Sequence, residues 1–197
     1  MYTIGIDEVG RGPIAGPLVV CACAVNQGVD VLSLFPKGVL KDSKKLSEKA
    51  RLHIVEQLLP FAETSQVLFG LGEVSAERLD EIGLSASIKE ALIKALTKVH
   101  SQGIPTDTFI FLDGSLYADE RFSQETVIQG DEKIPEIALA SIIAKTHRDL
   151  IMKKISDAYP EYGFASHVGY GTEAHYEAIA LHGVTPLHRK SFLKKIL

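Results

Sequence analysis

The chain has no tryptophan, only two cysteines and two methionines, and aromatic residues make up 7% of its 197 residues. The cysteines, Cys21 and Cys23, stand two apart in an apolar run, too close for a disulfide and half a zinc site at best. They are expected to be buried packing residues in a reducing compartment. No apolar run approaches the roughly 20 residues that span a bilayer. The N-terminus reaches Asp7 and Glu8 with no basic segment before them, so neither a signal peptide nor a membrane association is expected, and the expected location is cytoplasmic. An excess of positive charge is also lacking: 21 Lys and Arg face 25 Asp and Glu, a net of −4. That balance does not suit a protein that coats nucleic acid with its whole surface.

The charge is unevenly spread. Residues 1–132 carry 12 basic against 19 acidic residues, a net of −7, while residues 133–197 carry 9 against 6, a net of +3, and five of the seven histidines. Hydrophobic residues make up 46% of the chain, which excludes disorder and fibrous classes. With no repeat, low-complexity tract or linker, residues 1–197 read as one α/β domain whose C-terminal part, from about 159, is helical and more basic.

Strands are expected at 3–7, 18–25, 66–73, 108–112 and, more weakly, 125–128; the run LVVCACAV at 18–25 lacks helical spacing and suits a strand buried on both faces. Ser47 and Ser75 are candidate caps for helices, the first expected to close at Pro60. Further helices are expected at 84–101, from Pro135 to Ala158, at 173–182, and in the SFLKKIL tail. Small residues at Ala138, Ala140, Ser141 and Ala144 would let the long helix pack closely on a sheet.

Acids sit where β-type runs stop: Asp7 and Glu8, Asp113, and Asp131, with Gly10, Gly114 and Gly130 nearby. Ligand chemistry collects at strand ends in α/β sheets. If these strands are neighbours, four carboxylates converge and their repulsion calls for hard divalent cations such as Mg²⁺ or Mn²⁺. Each acid alone is more readily read as a turn residue. Adjacent strand residues point to opposite faces, so Asp7 and Glu8 share a site only if the chain bends or bulges there. The loop Gly10-Arg11-Gly12-Pro13-Ile14-Ala15-Gly16-Pro17 lacks both the phosphate-loop ending and the dinucleotide fingerprint. It is either a structural turn or a stiff loop able to approach a sugar–phosphate backbone.

The string GIDEVGRGP at residues 5–13 resembles the signature of the type 2 ribonucleases H, and within them the bacterial ribonuclease HII group. The resemblance continues through LKDSKKL at 40–46, Leu112-Asp113-Gly114, Gly130-Asp131, ASIIAK at 140–145 with Arg148-Asp149, Gly169-Tyr170-Gly171-Thr172, His175, and Leu187-His188-Arg189. It implies an RNase H-like fold, a mixed central sheet flanked by helices with a C-terminal helical part. It further implies that Asp7, Glu8, Asp113 and Asp131 are the metal-binding and catalytic acids. Gly10, Arg11 and Gly12 would sense the ribose 2′-OH, and Tyr170 would stack on the neighbouring deoxyribose at an RNA–DNA junction. The implied reaction is cleavage 5′ of ribonucleotides in RNA–DNA hybrids, and of single ribonucleotides in duplex DNA. Two divalent ions about 4 Å apart would assist it, leaving 3′-hydroxyl and 5′-phosphate ends, as in ribonucleotide excision repair and RNA primer removal.

Lys44, Lys45, Lys145 and Arg148 are candidate phosphate contacts. Asp149 is read as an internal salt bridge or cap, and His175 and His188 as supports of the nucleic-acid surface. His167, His175, His182 and His188 are spaced too widely for a helical zinc pair. The alternatives are ribonuclease HIII-like specificity for hybrids alone, which the lack of an N-terminal extension and the presence of Tyr170 disfavour, and a non-catalytic nucleic-acid-binding module. No obligate protein partner is evident and a monomer is expected. Two bound Mg²⁺ would add +4 and bring the formal charge from −4 to about zero.

Overall fold

A computed structural model describes residues 1–34 and 46–194. Five strands form one mixed sheet in the order β3-β2-β1-β4-β5: β1 (Tyr2–Val9), β2 (Leu18–Asn26), β3 (Val67–Val74), β4 (Phe109–Asp113) and β5 (Gln124–Val127). β1–β2 and β2–β3 are antiparallel pairs, whereas β1–β4 and β4–β5 are parallel. The α-helices are α1 (Glu48–Glu63), α2 (Ala76–Ile82), α3 (Leu84–His100), α4 (Pro135–Ala158), α5 (Phe164–His167) and α6 (Glu173–His182). The expected mixed sheet with flanking helices is therefore present.

β2 is buried on both faces, and its period of two divides the core. Leu18, Val20, Ala22 and Ala24 face α3 with Leu92, Leu96 and Val99. Val19, Cys21, Cys23 and Val25 face α1 and α4 with Leu58, Leu139 and Ile143; both cysteines are free and buried there. A third cluster joins Ile14 and Ala15 of the glycine loop to Met152 of α4 and to Tyr162, Phe164 and Ile179 of the C-terminal part. The second half of the glycine loop is thus packed into the interior by α4 and the C-terminal part.

Local signals were strong where a cap was present. Ser47 accepts from Ala50 N–H at 3.2 Å and Ser75 from Arg78 N–H at 3.1 Å, each opening a helix as expected. Two expectations need correction. α1 runs through Pro60 to Glu63, because Pro60 lies exposed near the helix end and its own carbonyl accepts from Thr64 N–H at 3.3 Å and Thr64 Oγ1 at 3.1 Å. β1 extends past residue 7 to Val9, held by β2 through the pair Val9↔Val19. At the tail, a 3₁₀ turn spans Lys190–Phe192. Among the described residues no helix is long and apolar enough to cross a membrane.

Candidate active site

β4 stops at Asp113 while its neighbour β1 continues to Val9. The last paired residues are Ile6 and Leu112, so one step further Asp7 and Asp113 stand side by side. Asp7 has the parity of Gly5 and faces α4, where the Ser141 hydroxyl bonds its carboxylate. Glu8 has the opposite parity but lies past the end of β4, and it reaches the same cavity across that edge. The β1–β2 register runs unbroken from Tyr2 to Val9, so the two acids meet without a bulge. It is the short neighbouring strand that lets them share a space.

That cavity, about 370 Å³, is lined by Asp7, Glu8, Asp113, Ser141, Arg51, Lys145 and Tyr170, among others. Asp7 is 6% exposed, and its Oδ1 accepts from Glu8 N–H at 2.7 Å. Asp113 Oδ1 accepts from Gly130 N–H at 2.7 Å, which ties the end of β4 to the turn that carries Asp131. Asp131 itself is fully buried in the 3₁₀ turn Gly130–Glu132 and does not line the cavity. Three of the four acids therefore open into one space and the fourth lies behind Asp113.

The electrostatics of this space are strained. Burial, the neighbouring Glu8 and then Asp113 push the Asp7 carboxyl up to about 8, against the Ser141 hydrogen bond. Glu8 is also raised, mainly by burial, although Arg11 at 2.9 Å pulls the other way. Glu8 Oε2 is buried without a hydrogen-bond partner. Among the described residues no three His, Cys, Asp or Glu side chains are already spaced as a metal cage. An unbonded carboxylate oxygen, excess negative charge and an all-oxygen donor set nevertheless suit a hard divalent cation.

The glycine loop forms the adjoining wall. Gly10 has φ +91°, a conformation L side chains avoid, and a Cβ there would lie 2.7 Å from the Pro17 carbonyl oxygen. A Cβ on Gly12 would stand 3.6 Å from the ring of Tyr170, so loop and tyrosine adjoin. Ile14 and Ala15 N–H both donate to the Gly169 carbonyl, at 2.9 and 3.2 Å. Tyr170 is 46% exposed.

The ribonuclease HII family matches residues 4–195. The chain belongs to the ribonuclease HII family. It is 44% identical to the ribonuclease HII of Chlamydia pneumoniae over 188 residues, covering 95% of this chain and 81% of that protein. It is 40% identical to that of Clostridioides difficile over 197 residues, covering all of this chain and 72% of that one. Among solved structures, the complex of PCNA with RNase HII from Archaeoglobus fulgidus is similar, with a TM-score of 0.72, 26% identity, and 96% and 94% coverage. The fold is also that of Bst-RNase HIII in complex with Mn²⁺, with a TM-score of 0.70, 22% identity, and 99% and 70% coverage.

The basic candidates separate. Lys145 lines the cavity and its Nζ donates to Asp149 Oδ1 at 2.6 Å. Asp149 is the internal salt bridge expected of it, with Arg51 at 2.8 Å as its second partner. Lys44 and Lys45 lie outside the described residues. Arg148 must be corrected: its guanidinium is fully buried and donates to the carbonyls of Pro17 (2.9 Å), Val168 (2.8 Å) and Ala15 (3.1 Å). No donor face is left for a phosphate. Arg189, also fully buried, donates to Gly16 at 3.0 and 2.8 Å and to Arg11 at 3.3 Å. Burial and then Arg148 lower Arg189 to about 10, and burial lowers Arg148 as well. His175 and His188 are buried beneath Tyr170, with His175 Nδ1 2.8 Å from the Tyr170 carbonyl.

These two arginines hold four carbonyls of the loop segment 11–17. Arg148→Met is expected to destabilise the protein by about 2–4 kcal/mol in urea unfolding, because buried carbonyls are left unpaired. Arg148→Lys should rescue little, since an ammonium cannot reproduce the planar fork. Full stability of the Met variant would contradict this role.

Cavity-lining residues that the sequence does not single out are Arg51 and Ser141. Ser141 lies inside the ASIIAK motif but its type and spacing suit a small packing residue. Arg51 carried no signal, since its place in the cavity depends on how α1 packs on α4.

Proposed function

We propose that this ribonuclease H hydrolyses the phosphodiester 5′ of ribonucleotides, both in RNA–DNA hybrids and at single ribonucleotides embedded in duplex DNA, leaving 3′-hydroxyl and 5′-phosphate ends. The observation that carries the reading is one cavity into which Asp7, Glu8 and Asp113 open, with Tyr170 at its edge beside Gly12. Asp7, Glu8 and Asp113, which line the cavity, would hold Mg²⁺ or Mn²⁺, and Asp131, buried in the turn that Asp113 bonds, would join them only with a shift of that turn. The bound ions would make water a competent nucleophile at neutral pH and stabilise the leaving 3′-oxygen.

The protein's own residues do the rest. Ser141 and the Glu8 N–H orient the Asp7 carboxylate, and the Gly130 N–H orients Asp113. Gly10, Arg11 and Gly12 let the backbone approach the ribose, and a site built to bond its 2′-OH discriminates strongly against deoxyribose. Tyr170 stacks on the next sugar. Lys145 stands within reach of a backbone phosphate. Such an activity serves ribonucleotide excision from DNA and removal of RNA primers.

The test uses one labelled duplex with a single ribonucleotide and one RNA–DNA hybrid, each in Mg²⁺, Mn²⁺ and EDTA. Both substrates are expected to be cut in either metal and neither in EDTA, and Asp113→Asn should lose about 10³-fold or more in rate, roughly 4 kcal/mol. A variant cutting at the wild-type rate would sink the assignment. Cleavage of the hybrid alone would instead give ribonuclease HIII-like specificity, and binding without cleavage a non-catalytic module.

A further inference from the structure

Behind Tyr170 lies a cluster of buried histidines that the cleavage chemistry does not use. His175 Nδ1 lies 2.8 Å from the Tyr170 carbonyl, His175 Nε2 lies 3.1 Å from His188 Nε2, and Thr185 N–H approaches His188 Nδ1 at 2.9 Å. The ends of this series fix every proton. A backbone N–H can only donate, so His188 Nδ1 accepts and its proton sits on Nε2. A carbonyl can only accept, so His175 carries its proton on Nδ1 and accepts at Nε2. The central bond therefore runs from His188 to His175, as both ends require. Three hydrogen bonds point the same way, from Thr185 to Tyr170.

Both rings are held neutral, as this arrangement needs. Burial and then His175 push His188 down to about 4, and burial lowers His175 as well. Phe164 and the stacked ring of His167, 4.3 Å from His175, enclose the pair. The segment that carries His188 is also attached to the glycine loop: Ala15 and His188 form a β-bridge, and Arg189 N–H donates to Ile14 at 2.8 Å. Loop and tyrosine are thus connected through the two imidazoles.

We propose that His188 and His175 are positioning residues that set Tyr170 against the glycine loop, and so set the preference for a single ribonucleotide junction over a continuous hybrid. The inference rests on the role given to Tyr170 under the proposed function. His188→Met removes the central donor at similar side-chain length, whereas His188→Gln can still donate to His175 from the same reach. The Met variant is expected to lose about tenfold in kcat/KM on the single-ribonucleotide duplex, because small misplacements of a substrate-positioning group are costly. Its loss on the hybrid should be less than about threefold, with most of the difference restored by Gln. In a Tyr170→Ala background the Met change should no longer alter the ratio.

Equal losses on both substrates with no recovery by Gln would reduce the pair to a structural role and overturn the proposal. So would a change in ratio that persists without the tyrosine ring. If Tyr170→Ala alone leaves the ratio untouched, the role of Tyr170 has failed, and the relay is judged separately by NMR. Imidazole ¹⁵N spectra of the wild-type protein should show His175 protonated at Nδ1 and His188 at Nε2, and labelled Tyr170 ring signals should move in the Met variant and return in the Gln variant. The opposite tautomers, or ring signals indifferent to His188, would overturn it even where a variant folds too poorly for kinetics.

Discussion

Asp7→Asn is expected to abolish cleavage and, in the metal-free protein, to raise stability at alkaline pH. The two effects share one cause. Asp7 is pushed up to about 8 by burial and by the neighbouring carboxylates, against an ordinary value of 3.8. Between these values the folded protein holds a proton that the unfolded chain has released. Stability from this group is therefore full below about 4 and is lost as pH rises through about 8. The difference sets a ceiling of about 6 kcal/mol, and relaxation reduces the measurable part to a few kcal/mol. Asparagine removes the charge and keeps the shape, so in EDTA at pH 8.5 the variant should unfold at higher urea than the wild type, with the gap closing towards pH 5. Added Mg²⁺ should reverse the order, because a ligand bound only by the folded wild type stabilises it by mass action. Cleavage should fall by at least about 10³-fold. A variant within tenfold of wild-type activity, or a wild type no less stable than the variant at pH 8.5 in EDTA, would contradict the assignment of Asp7.

The same stored repulsion changes how the net charge should be read. An overall −4 argues against a nucleic-acid partner only if the acids are spread over the surface. Here Asp7 and Asp131 are buried and Asp7, Glu8 and Asp113 share a cavity. The basic excess of residues 133–197 needs the opposite adjustment. Arg148 and Arg189 lie wholly inside, so part of that positive charge braces the glycine loop from within rather than coating an outer face.

How much was legible in the sequence follows the range of the interactions concerned. The caps at Ser47 and Ser75, the start of α4 at Pro135 and the two-sided burial of β2 are local signals, and each was readable. The end of β1 was not, because residues 8 and 9 are held in the strand by β2 rather than by their own propensity. The meeting of Asp7 with Glu8 was readable from the motif, but its cause lies in the length of β4, more than 100 residues away. Arg148 illustrates the harder limit. A cation on a helix beside a site looks like a phosphate contact until the fold brings Ala15, Pro17 and Val168 around it. For His175 and His188 the sequence suggested support of the site but not the contacts that provide it, which join residues 13 apart to each other and to Tyr170 and Thr185.

Gly5→Ala should be among the most damaging single-methyl changes in the chain. Gly5 sits in the middle of β1, and a Cβ there would lie 2.1 Å from the carbonyl carbon of Glu136 and 2.3 Å from Ile137 N. Both are backbone atoms in the first turn of α4, so no side chain can swing aside. The missing side chain of Gly5 is what lets the backbone of Glu136 and Ile137 come this close to the sheet. An added methyl must move the helix off the sheet, and overpacking of this kind costs about 3 kcal/mol or more. For a chain of this length the expected fall in Tm is roughly 6–12 °C. The helix also carries Ser141, whose hydroxyl bonds Asp7, so activity measured well below the transition should drop about tenfold or more. Gly28→Ala is the control: it is exposed, and its nearest neighbour would be 3.6 Å from the new Cβ, so a change within about 0.5 kcal/mol is expected. Wild-type Tm and activity in the Gly5 variant would mean that α4 does not need this approach to hold Asp7 in place.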